Sequence, residues 1–140
     1  MSPSEHIGVS IIICTRNRAD ILKDCLSSFI TQTLERAEVE YIVIDNASSD
    51  DTKNIVLSFV SKIPNLKHVL ENEIGLSIAR NRGMSEAKYE WVCFVDDDAI
   101  AHSDFIERMF FIINNYSFDA FGGMFYPWYR TPKPKWLRSE

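Results

Sequence analysis

The sequence predicts a three-layer α/β fold, in which a mainly parallel sheet lies between helices on both of its faces. Short β-branched apolar runs alternate along the chain with longer segments in which apolar residues recur every three or four positions. The short runs are almost continuously apolar, as strands are when both faces of a parallel sheet are covered. This alternation is typical of βαβ units, and 140 residues suffice for one such domain.

The first two strands are each followed by an amphipathic helix. The strands are predicted over Val9–Cys14 and Val39–Ile44, and the helices over 19–32 and 49–63. Pro64 ends the second helix, because proline lacks the amide hydrogen that a helix interior needs. The apolar stripes are Ile21, Leu22, Cys25, Leu26, Phe29 and Ile30 in the first helix, and Ile55, Val56, Phe59, Val60 and Ile63 in the second.

Two further strand and helix pairs follow, and the last strand of the sheet is predicted over 118–126. A weaker strand around Leu66–Leu70 precedes a helix from Gly75 to Lys88. The fourth strand, Trp91–Val95, precedes a helix for which Ser103 is the predicted N-cap. The inner stripes are Leu76, Ala79, Gly83 and Ala87 in the third helix, where small residues allow close packing on the sheet, and Ile106, Met109, Phe110 and Ile113 in the fourth.

Composition excludes some classes of function. With 15 basic and 20 acidic residues the net charge is −5, which argues against binding of nucleic acid by charge. Cys14, Cys25 and Cys93 lie in apolar segments without metal-ligand spacing, which predicts reduced core thiols. No signal peptide is recognisable, and no apolar run reaches the roughly 20 residues of a membrane helix. We therefore expect a cytoplasmic protein.

The segment 126–140 differs from the rest of the chain. It is rich in proline, and its aromatic residues Trp128, Tyr129 and Trp136 alternate with lysine and arginine. We expect a domain over 1–125 followed by a loop over the site or a connection to a further part. Aromatic and basic residues also occur at lipid interfaces, so peripheral contact with the inner face of a membrane stays an alternative.

Polar clusters follow three of the predicted strands. They read CTRNR after the first strand, DNASSDD after the second and DDD after the fourth. In parallel sheets the carboxyl ends of strands meet at one edge, where ligands bind, so a nucleotide-sized site is expected there. Each cluster also has a structural interpretation: TRN as a helix cap, DNASSDD as a turn and helix start, and Arg80 as a solvated helix residue.

The three aspartates are harder to explain by structure alone. Adjacent carboxylates repel one another, so they need solvent, donors or a cation. In an extended chain Asp96 and Asp98 point to the same side and Asp97 to the other. Two carboxylates then suit Mg²⁺ or Mn²⁺ held jointly with phosphates, and Arg80 would pair with phosphate.

Four segments, in this order and spacing, resemble the donor-binding half of a family 2 glycosyltransferase. They read VSIIICTRNR, EYIVIDNASSDDT, NEIGLSIARNRG and YEWVCFVDDD and span roughly Val9 to Met124. The resemblance implies the GT-A fold, a Rossmann-like nucleotide-sugar-binding fold. It also implies transfer of a sugar from a nucleotide-sugar donor, by this interpretation a UDP-sugar. The acceptor would be a hydroxyl group of a sugar, of a lipid-linked compound or of another molecule. Inversion at the sugar carbon and a Mn²⁺ or Mg²⁺ cofactor are further implications.

The resemblance also implies roles for individual residues. Thr15 and Arg16 would border the base, and Asp45 would accept a hydrogen bond from it, which favours uracil but leaves thymine and guanine open. Arg80 would approach the base or the diphosphate. Asp96 or Asp97 would contact the ribose, and the metal ligands would be Asp98 and Asp96.

The family's catalytic base, an Asp or Glu well beyond the aspartates, has no counterpart here. Asp104, Glu107 and Asp119 precede Glu140 without a motif that marks a base. We therefore expect an N-terminal fragment or truncated form that is inactive alone, with the catalytic residues unassigned.

Two other classes of function stay open. A non-catalytic nucleotide-binding or interaction module derived from such an enzyme would need no base. A dehalogenase-type phosphatase also places Asp-x-Asp after a buried strand and would use Asp96 as nucleophile, but Ile100 stands where that pattern has Thr or Val.

Overall fold

The structure, a computed structural model, describes residues 7–33 and 38–137. Within them the strands and helices alternate along the chain without exception. The elements are β1 (Val9–Thr15), α1 (Ala19–Ile30), β2 (Val39–Asn46), α2 (Thr52–Phe59), β3 (Leu66–Glu71), α3 (Leu76–Glu86), β4 (Trp91–Phe94) and α4 (Phe105–Asn115). All strands of the sheet pair in parallel, in the order β3-β2-β1-β4. The predicted parallel α/β arrangement is therefore confirmed.

The two central strands form the buried part of the sheet. β2 is buried at every position and β1 at every position but Cys14, whereas the outer strands β3 and β4 are largely half-buried or exposed. This explains why the first two strands read as continuous β-branched runs and why the third was the weakest sequence signal.

The helices cover both faces of the sheet, which confirms the three layers. One core contains the inner residues of α1, α2 and α4 together with Val9, Ile11, Val43 and other sheet residues. The second core packs α3 on Ile12, Ile42 and Ile44. The sheet grows from β1 toward β3 and then continues on the other side of β1, so right-handed crossovers require α3 to lie on the opposite face from α1 and α2.

Close packing of α3 on the sheet depends on small residues, as predicted for Ala79 and Gly83. Both are buried, and a Cβ atom added at Gly83 would lie 2.4 Å from Cγ2 of Ile12. The same prediction was wrong for Leu76, which is 57% exposed, whereas Ala87, the C-cap residue of α3, does pack against the second core.

Helix boundaries differ from the predicted ones in all four helices. α2 begins at Thr52 rather than at residue 49, and α3 covers Leu76–Glu86 rather than Gly75 to Lys88. α1 ends at Ile30 rather than at Gln32, and α2 ends at Phe59 rather than at Ile63. The chain after α2 continues in turns that leave Val60 exposed but bury Ile63. Asp104, not Ser103, is the N-cap of α4, although the four predicted inward residues of that helix are all buried.

The strand predicted over 118–126 is not formed. Phe118 and Phe121 instead pack their rings near Trp91, with centroids 5.9 and 6.2 Å from it. Gly122 and Gly123 follow at once, and glycine gives a strand no side chain to pack. Phe118 and Phe121 thus form ring contacts with Trp91 and with each other rather than another β-ladder.

The cysteines are free thiols, as predicted. Burial raises the pKa of Cys14 and of Cys93 to about 11 and that of Cys25 to about 12. They are therefore protonated and weakly nucleophilic near neutral pH.

Across residues 7–33 and 38–137, no helix is both long enough and apolar enough to cross a bilayer.

Candidate functional site

The carboxyl edge of the sheet brings the polar clusters together. Thr15, the last residue of β1, lies opposite Asp45 of β2 in the parallel register. The aspartates follow β4 on the other side of β1, so the strand order changes direction between β1 and β4. This is the position at which open α/β sheets bind ligands.

Asp97 is the buried member of the aspartate cluster. Only 5% of it is exposed, and its Oδ2 accepts a hydrogen bond of 2.8 Å from the hydroxyl of Thr15. Its Oδ1 accepts a hydrogen bond of 2.7 Å from Nη1 of Arg18. Burial raises the pKa of Asp97, although Thr15 and Arg18 act in the opposite direction. Thr15 is therefore committed to the aspartate cluster rather than to a helix cap.

The chain turns at the aspartates instead of continuing in the extended form expected from the sequence. The amide of Ala99 donates to the carbonyl of Asp96 at 3.0 Å, which closes a tight turn. Asp97 therefore points inward, while the side chains of Asp96 and Asp98 are 73% and 56% exposed. The turn leaves Asp96 and Asp98 facing solvent, where a ligand can reach them.

Two arginines offset the repulsion among the three carboxylates. Arg18 also contacts Asp98, with Nη2 at 3.2 Å from Oδ2, and Nη2 of Arg80 lies 3.9 Å from Oδ1 of Asp96. Arg18 is not among the predicted site residues, although its position at the N-cap of α1, within CTRNR, was the available signal.

Asp45 lies at the end of β2 with both of its oxygens engaged. It is 3% exposed, Oδ1 accepts the amide of Ser48 at 3.0 Å, and Oδ2 lies 3.0 Å from Nε2 of His68. His68 belongs to β3 and lies opposite Val43 of β2. It is therefore a diagonal neighbour of Asp45 on the same face of the sheet. His68 is not among the predicted site residues, because a single histidine in a weak strand does not reveal its partner.

The loops after β1 and β2 are joined by hydrogen bonds. Asn17 has a left-handed backbone, with φ of 52°, and its Oδ1 accepts the amide of Ser49 at 2.7 Å. The first amide of α1, that of Ala19, donates to Asp50 of the second loop at 3.0 Å. The cap interpretation of Thr15 and Asn17 was therefore wrong, because the cap comes from a residue 31 positions away.

The segment between β3 and α3 is fixed to the same edge by Asn46. Its side-chain oxygen accepts the amide of Gly75 at 2.8 Å, and its nitrogen donates to the carbonyl of Glu73 at 2.7 Å. These contacts explain the use of an amide at this position, since a carboxylate could not donate to a carbonyl.

The two remaining candidates lie at the surface of this edge. Arg16 is exposed immediately after β1. Arg80, on α3, is exposed as well, and its guanidinium carbon lies 5.9 Å from the centre of the Phe94 ring. Both cations are accessible to an anionic ligand.

The residues present fit a hard divalent cation that is shared with a ligand. In the described part of the chain, no three carboxylate, imidazole or thiol groups are arranged to hold an ion by themselves. Asp96 and Asp98 nevertheless offer exposed carboxylate oxygens, which are the donors that Mg²⁺ and Mn²⁺ prefer. Mg²⁺ is commonly held by one or two carboxylates together with substrate phosphates.

Comparison with known proteins relates this chain to glycosyltransferases. The sequence profile of Glycosyl transferase family 2 matches residues 10–140. The chain is 34% identical over 116 residues to Glycosyltransferase AglE of Haloferax volcanii, a match that covers 82% of this chain and 38% of AglE.

Solved structures of glycosyltransferases share the fold. S. aureus TarS 1-349 in complex with UDP superposes with a TM-score of 0.72 at 28% identity, covering 77% of this chain and 32% of that chain. The complex of the same protein with UDP-GlcNAc gives a TM-score of 0.69. The mannosyltransferase PcManGT from Pyrobaculum calidifontis, in complex with GDP-Man and Mn²⁺, gives 0.61 at 31% identity and covers 66% of this chain and 28% of that chain. The chain thus spans between 28% and 38% of the length of these relatives.

Proposed function

Because this chain belongs to glycosyl transferase family 2, we propose that its carboxyl edge binds a nucleotide-sugar donor, a UDP-sugar, for transfer of the sugar to an acceptor hydroxyl. The observation that carries the proposal is the convergence of Thr15, Asp45 and the aspartate turn at one edge of the sheet. The TarS complexes with UDP and UDP-GlcNAc support the choice of donor.

The base would lie against the ends of β1 and β2. Arg16 borders this region, and Asp45 accepts a hydrogen bond from a base N–H. A carboxylate has about four lone-pair sites, so Asp45 can accept from the base while it is held by Ser48 and His68. The two existing contacts fix the orientation of the carboxylate before the base arrives.

The diphosphate would lie between α3 and the aspartate turn. Arg80 is exposed there and its ion pair with Asp96 is long, at 3.9 Å, so its guanidinium can move to a phosphate. Of the two candidates for the ribose contact, Asp96 has the accessible oxygens, since those of Asp97 already bind Thr15 and Arg18.

Asp98 and Asp96 would hold Mn²⁺ or Mg²⁺ jointly with diphosphate oxygens. The bound cation would supply charge neutralisation for the departing diphosphate. Arg18 contacts only one oxygen of Asp98, and the side chain of Asp98 is 56% exposed. The carboxylate of Asp98 therefore remains accessible to a ligand. The complex of PcManGT with GDP-Man and Mn²⁺ supports a divalent cofactor.

The expected chemistry is direct displacement with inversion, in which a general base deprotonates the acceptor hydroxyl. Among the acidic residues that follow Asp98, Asp104 is a poor base, because hydrogen bonds from Arg108 lower the pKa of its carboxyl. Glu107 accepts a hydrogen bond from Thr33 at 3.1 Å. The catalytic base therefore stays unassigned, and the acceptor can be a sugar, a lipid-linked or another hydroxyl compound.

The unassigned base also supports a second candidate, a non-catalytic module that binds the nucleotide without transferring the sugar. We expect little or no transfer from this chain alone in a multiple-turnover assay. Multiple-turnover transfer by the 140-residue chain would exclude the non-catalytic module. The phosphatase hypothesis is not retained, because the chain belongs to a different family.

Calorimetric titration of the chain with UDP, with and without Mn²⁺, tests the donor site. We expect UDP to bind more tightly with Mn²⁺, and Asp98→Ala to lose most of this gain, because it removes an exposed carboxylate from the proposed metal site. The matched control is Asp119→Ala, which removes an exposed carboxylate outside the aspartate turn. UDP affinity that ignores both Mn²⁺ and the Asp98 substitution would contradict the metal assignment, and absence of UDP binding would contradict the donor site.

A further inference from the structure

The segment between β4 and α4, residues 95–104, carries the aspartate turn and contains no helix or strand of its own. Its backbone groups therefore depend on hydrogen bonds to neighbouring elements. At its start the segment is joined to β1, since the amide of Val95 donates to the carbonyl of Ile12 at 3.0 Å. From Asp96 onward its partners include α1 and the residues that directly follow this helix.

Successive hydrogen bonds join this segment to the end of α1, and they advance along both in the same direction. They pair Cys25 with the carbonyl of Asp96, Ser28 with the amide of Ala101, Gln32 with the carbonyl of His102, and the amide of Thr33 with the carbonyl of Ser103, at 3.6, 3.0, 3.0 and 2.7 Å. Gln32 also accepts the amide of Ile106, in the first turn of α4, at 3.1 Å. The path from the aspartate turn to α4 is thus set by α1.

Ser28 is a buried polar residue on the otherwise apolar inner face of α1. It is 8% exposed and adjoins Phe29 and Cys25 in that face. Serine is less favourable than alanine in a helix interior, and a buried hydroxyl needs partners, so its presence calls for a reason. Its hydroxyl donates to the carbonyl of Cys25 at 2.6 Å and accepts the amide of Ala101 at 3.0 Å. The second of these bonds connects the helix to the segment that carries the aspartates.

Asp98 lies between two anchored points of this segment. On its amino side Asp97 is bound by the hydroxyl of Thr15, and three residues further on Ala101 is bound by the hydroxyl of Ser28. The side chain of Asp98 itself is 56% exposed. The position of its carboxylate therefore depends on the backbone that these two hydroxyls hold.

We propose that Ser28 is a positioning residue for the metal site, because its hydroxyl holds the amide of Ala101 and thereby the backbone that presents Asp98 to a divalent cation. The inference rests on the proposed function, in which Asp98 is a metal ligand. Ser28 is buried, so it acts through Asp98 and not on the cation. Groups that orient metal ligands in this way change metal affinity by about 10- to 100-fold when they are replaced. Without the hydroxyl, the carboxylate of Asp98 samples more positions and binds the cation less tightly.

Three variants of the 140-residue chain test this role. Ser28→Ala removes the hydroxyl, and Ser28→Thr retains one that can also bond the carbonyl three residues earlier. Ser27→Ala is the matched control, because Ser27 is the preceding residue of α1, is exposed, and donates its hydroxyl to the carbonyl of Lys23 at 2.7 Å.

Three measurements are made on each variant. Electron paramagnetic resonance of free Mn²⁺ gives the affinity of the chain for Mn²⁺ in the presence of UDP, against a blank of UDP alone. Calorimetry gives the affinity for UDP without Mn²⁺. Amide hydrogen exchange, followed by mass spectrometry, reports on residues 99–103.

We expect Ser28→Ala to weaken Mn²⁺ binding about tenfold while UDP affinity without Mn²⁺ stays unchanged. The amides around Ala101 should exchange faster in this variant. Ser28→Thr should retain most of the Mn²⁺ affinity, and Ser27→Ala should alter none of the three quantities. A merely structural role of Ser28 would not separate Mn²⁺ binding from UDP binding in this way.

Equal Mn²⁺ affinity in Ser28→Ala and Ser27→Ala would overturn the inference. So would an equal loss of UDP binding without Mn²⁺, or loss of the folded state of Ser28→Ala in circular dichroism, because both would mean a structural role alone. An unchanged chain that binds UDP but no Mn²⁺ contradicts the metal assignment and this inference with it. Mn²⁺ binding that survives removal of the hydroxyl contradicts this inference alone, so the two failures are distinguishable.

Discussion

Arg18 connects the start of α1 to the turn that follows β4. Its guanidinium contacts Asp97 at 2.7 Å and Asp98 at 3.2 Å, and it is the strongest counter-charge of the buried Asp97. A buried carboxylate that loses its cation keeps the cost of its desolvation, so the contact matters more than a surface ion pair. At the scale of single residues, this pair holds the turn that presents Asp96 and Asp98 to solvent.

Replacement of this cation should destabilise the fold measurably. We expect Arg18→Ala to lower the free energy of unfolding by about 1–2 kcal/mol, the lower part of the range for a broken charged hydrogen bond, since Arg18 is partly exposed. Urea denaturation followed by circular dichroism measures the change. The control is Arg108→Ala, which breaks the surface pair of Arg108 with Asp104, the N-cap residue of α4, and should have little effect on stability. Equal effects of the two substitutions would mean that the contact of Arg18 with Asp97 contributes no more than a surface pair.

At the scale of elements, the approach of α3 to β1 depends on the absence of a side chain at Gly83. Glycine in a helix interior is intrinsically unfavourable by about 0.8–1.0 kcal/mol relative to alanine, so its presence here needs a packing reason. The reason is Ile12, whose Cγ2 and Cδ1 would lie 2.4 and 3.1 Å from a Cβ at this position. Close packing of α3 also places Arg80, one turn earlier, at the carboxyl edge.

Gly83→Ala should therefore lower stability although it improves helix propensity. We expect a net loss of about 1–3 kcal/mol from overpacking against Ile12, seen as a lower urea midpoint. Gly122→Ala is the control, because no atom lies within 4 Å of the added Cβ, and its stability should stay within about 0.5 kcal/mol of the unchanged chain. A Gly83→Ala protein as stable as the original would show that α3 can shift away from the sheet without cost.

On the scale of the whole molecule, the two ends of the sheet differ in how their carboxylates are satisfied. At the amino end, Glu40 accepts hydrogen bonds of 2.6 Å from Ser10 and from the amide of Lys88, and its other oxygen lies 2.6 Å from Nζ of Lys67. This network joins β1, β2, β3 and the segment before β4. At the carboxyl end, Asp96 and Asp98 remain exposed. One end therefore contributes stability, and the other retains carboxylates for a ligand.

The Glu40 network predicts a pH dependence of stability. Burial by itself would raise the pKa of Glu40, but the hydrogen bonds from Lys67, Ser10 and Lys88 outweigh burial and lower the pKa below 4.5. The carboxylate of Glu40 therefore binds a proton less readily in the folded chain than in the unfolded chain. The stabilisation is therefore complete above pH 4.5 and is lost as the pH falls through the lowered pKa.

Glu40→Gln should destabilise the protein by about 1–2 kcal/mol at pH 7, since it removes the charge that binds Lys67. The difference from the unchanged chain should shrink as the pH falls below 4.5 toward the lowered pKa of Glu40. Urea denaturation at pH 7 and pH 3.5 measures this, with Glu90→Gln, at an exposed position, as the control. A difference that is the same at both pH values would show that the charge of Glu40 contributes nothing.

The sequence by itself determined the order and type of the elements from β1 to α4, the parallel sheet and the edge at which the polar clusters meet, but not where the sheet ends, since the strand predicted over 118–126 is not formed. These features follow from local periodicity and from chain order, because a strand that ends in polar residues must present them at the carboxyl edge of a parallel sheet. The helix ends at Phe59 and Ile30 were less predictable. The residues that follow each end could equally well continue the helix or form a turn, so the sequence does not mark the boundary.

Only the tertiary structure decided which side chains are partners. Thr15 and Asp97 are 82 positions apart, and Arg18 and Asp97 are 79 apart, so no local pattern could pair them. The same holds for His68 with Asp45 and for Arg130 with Asp24. The turn at the aspartates depended on these contacts, because burial of Asp97 requires donors from β1 and α1. Pairings over such distances are decided by packing of the whole chain, which is why the sequence indicated where the site lies but not how its residues are held.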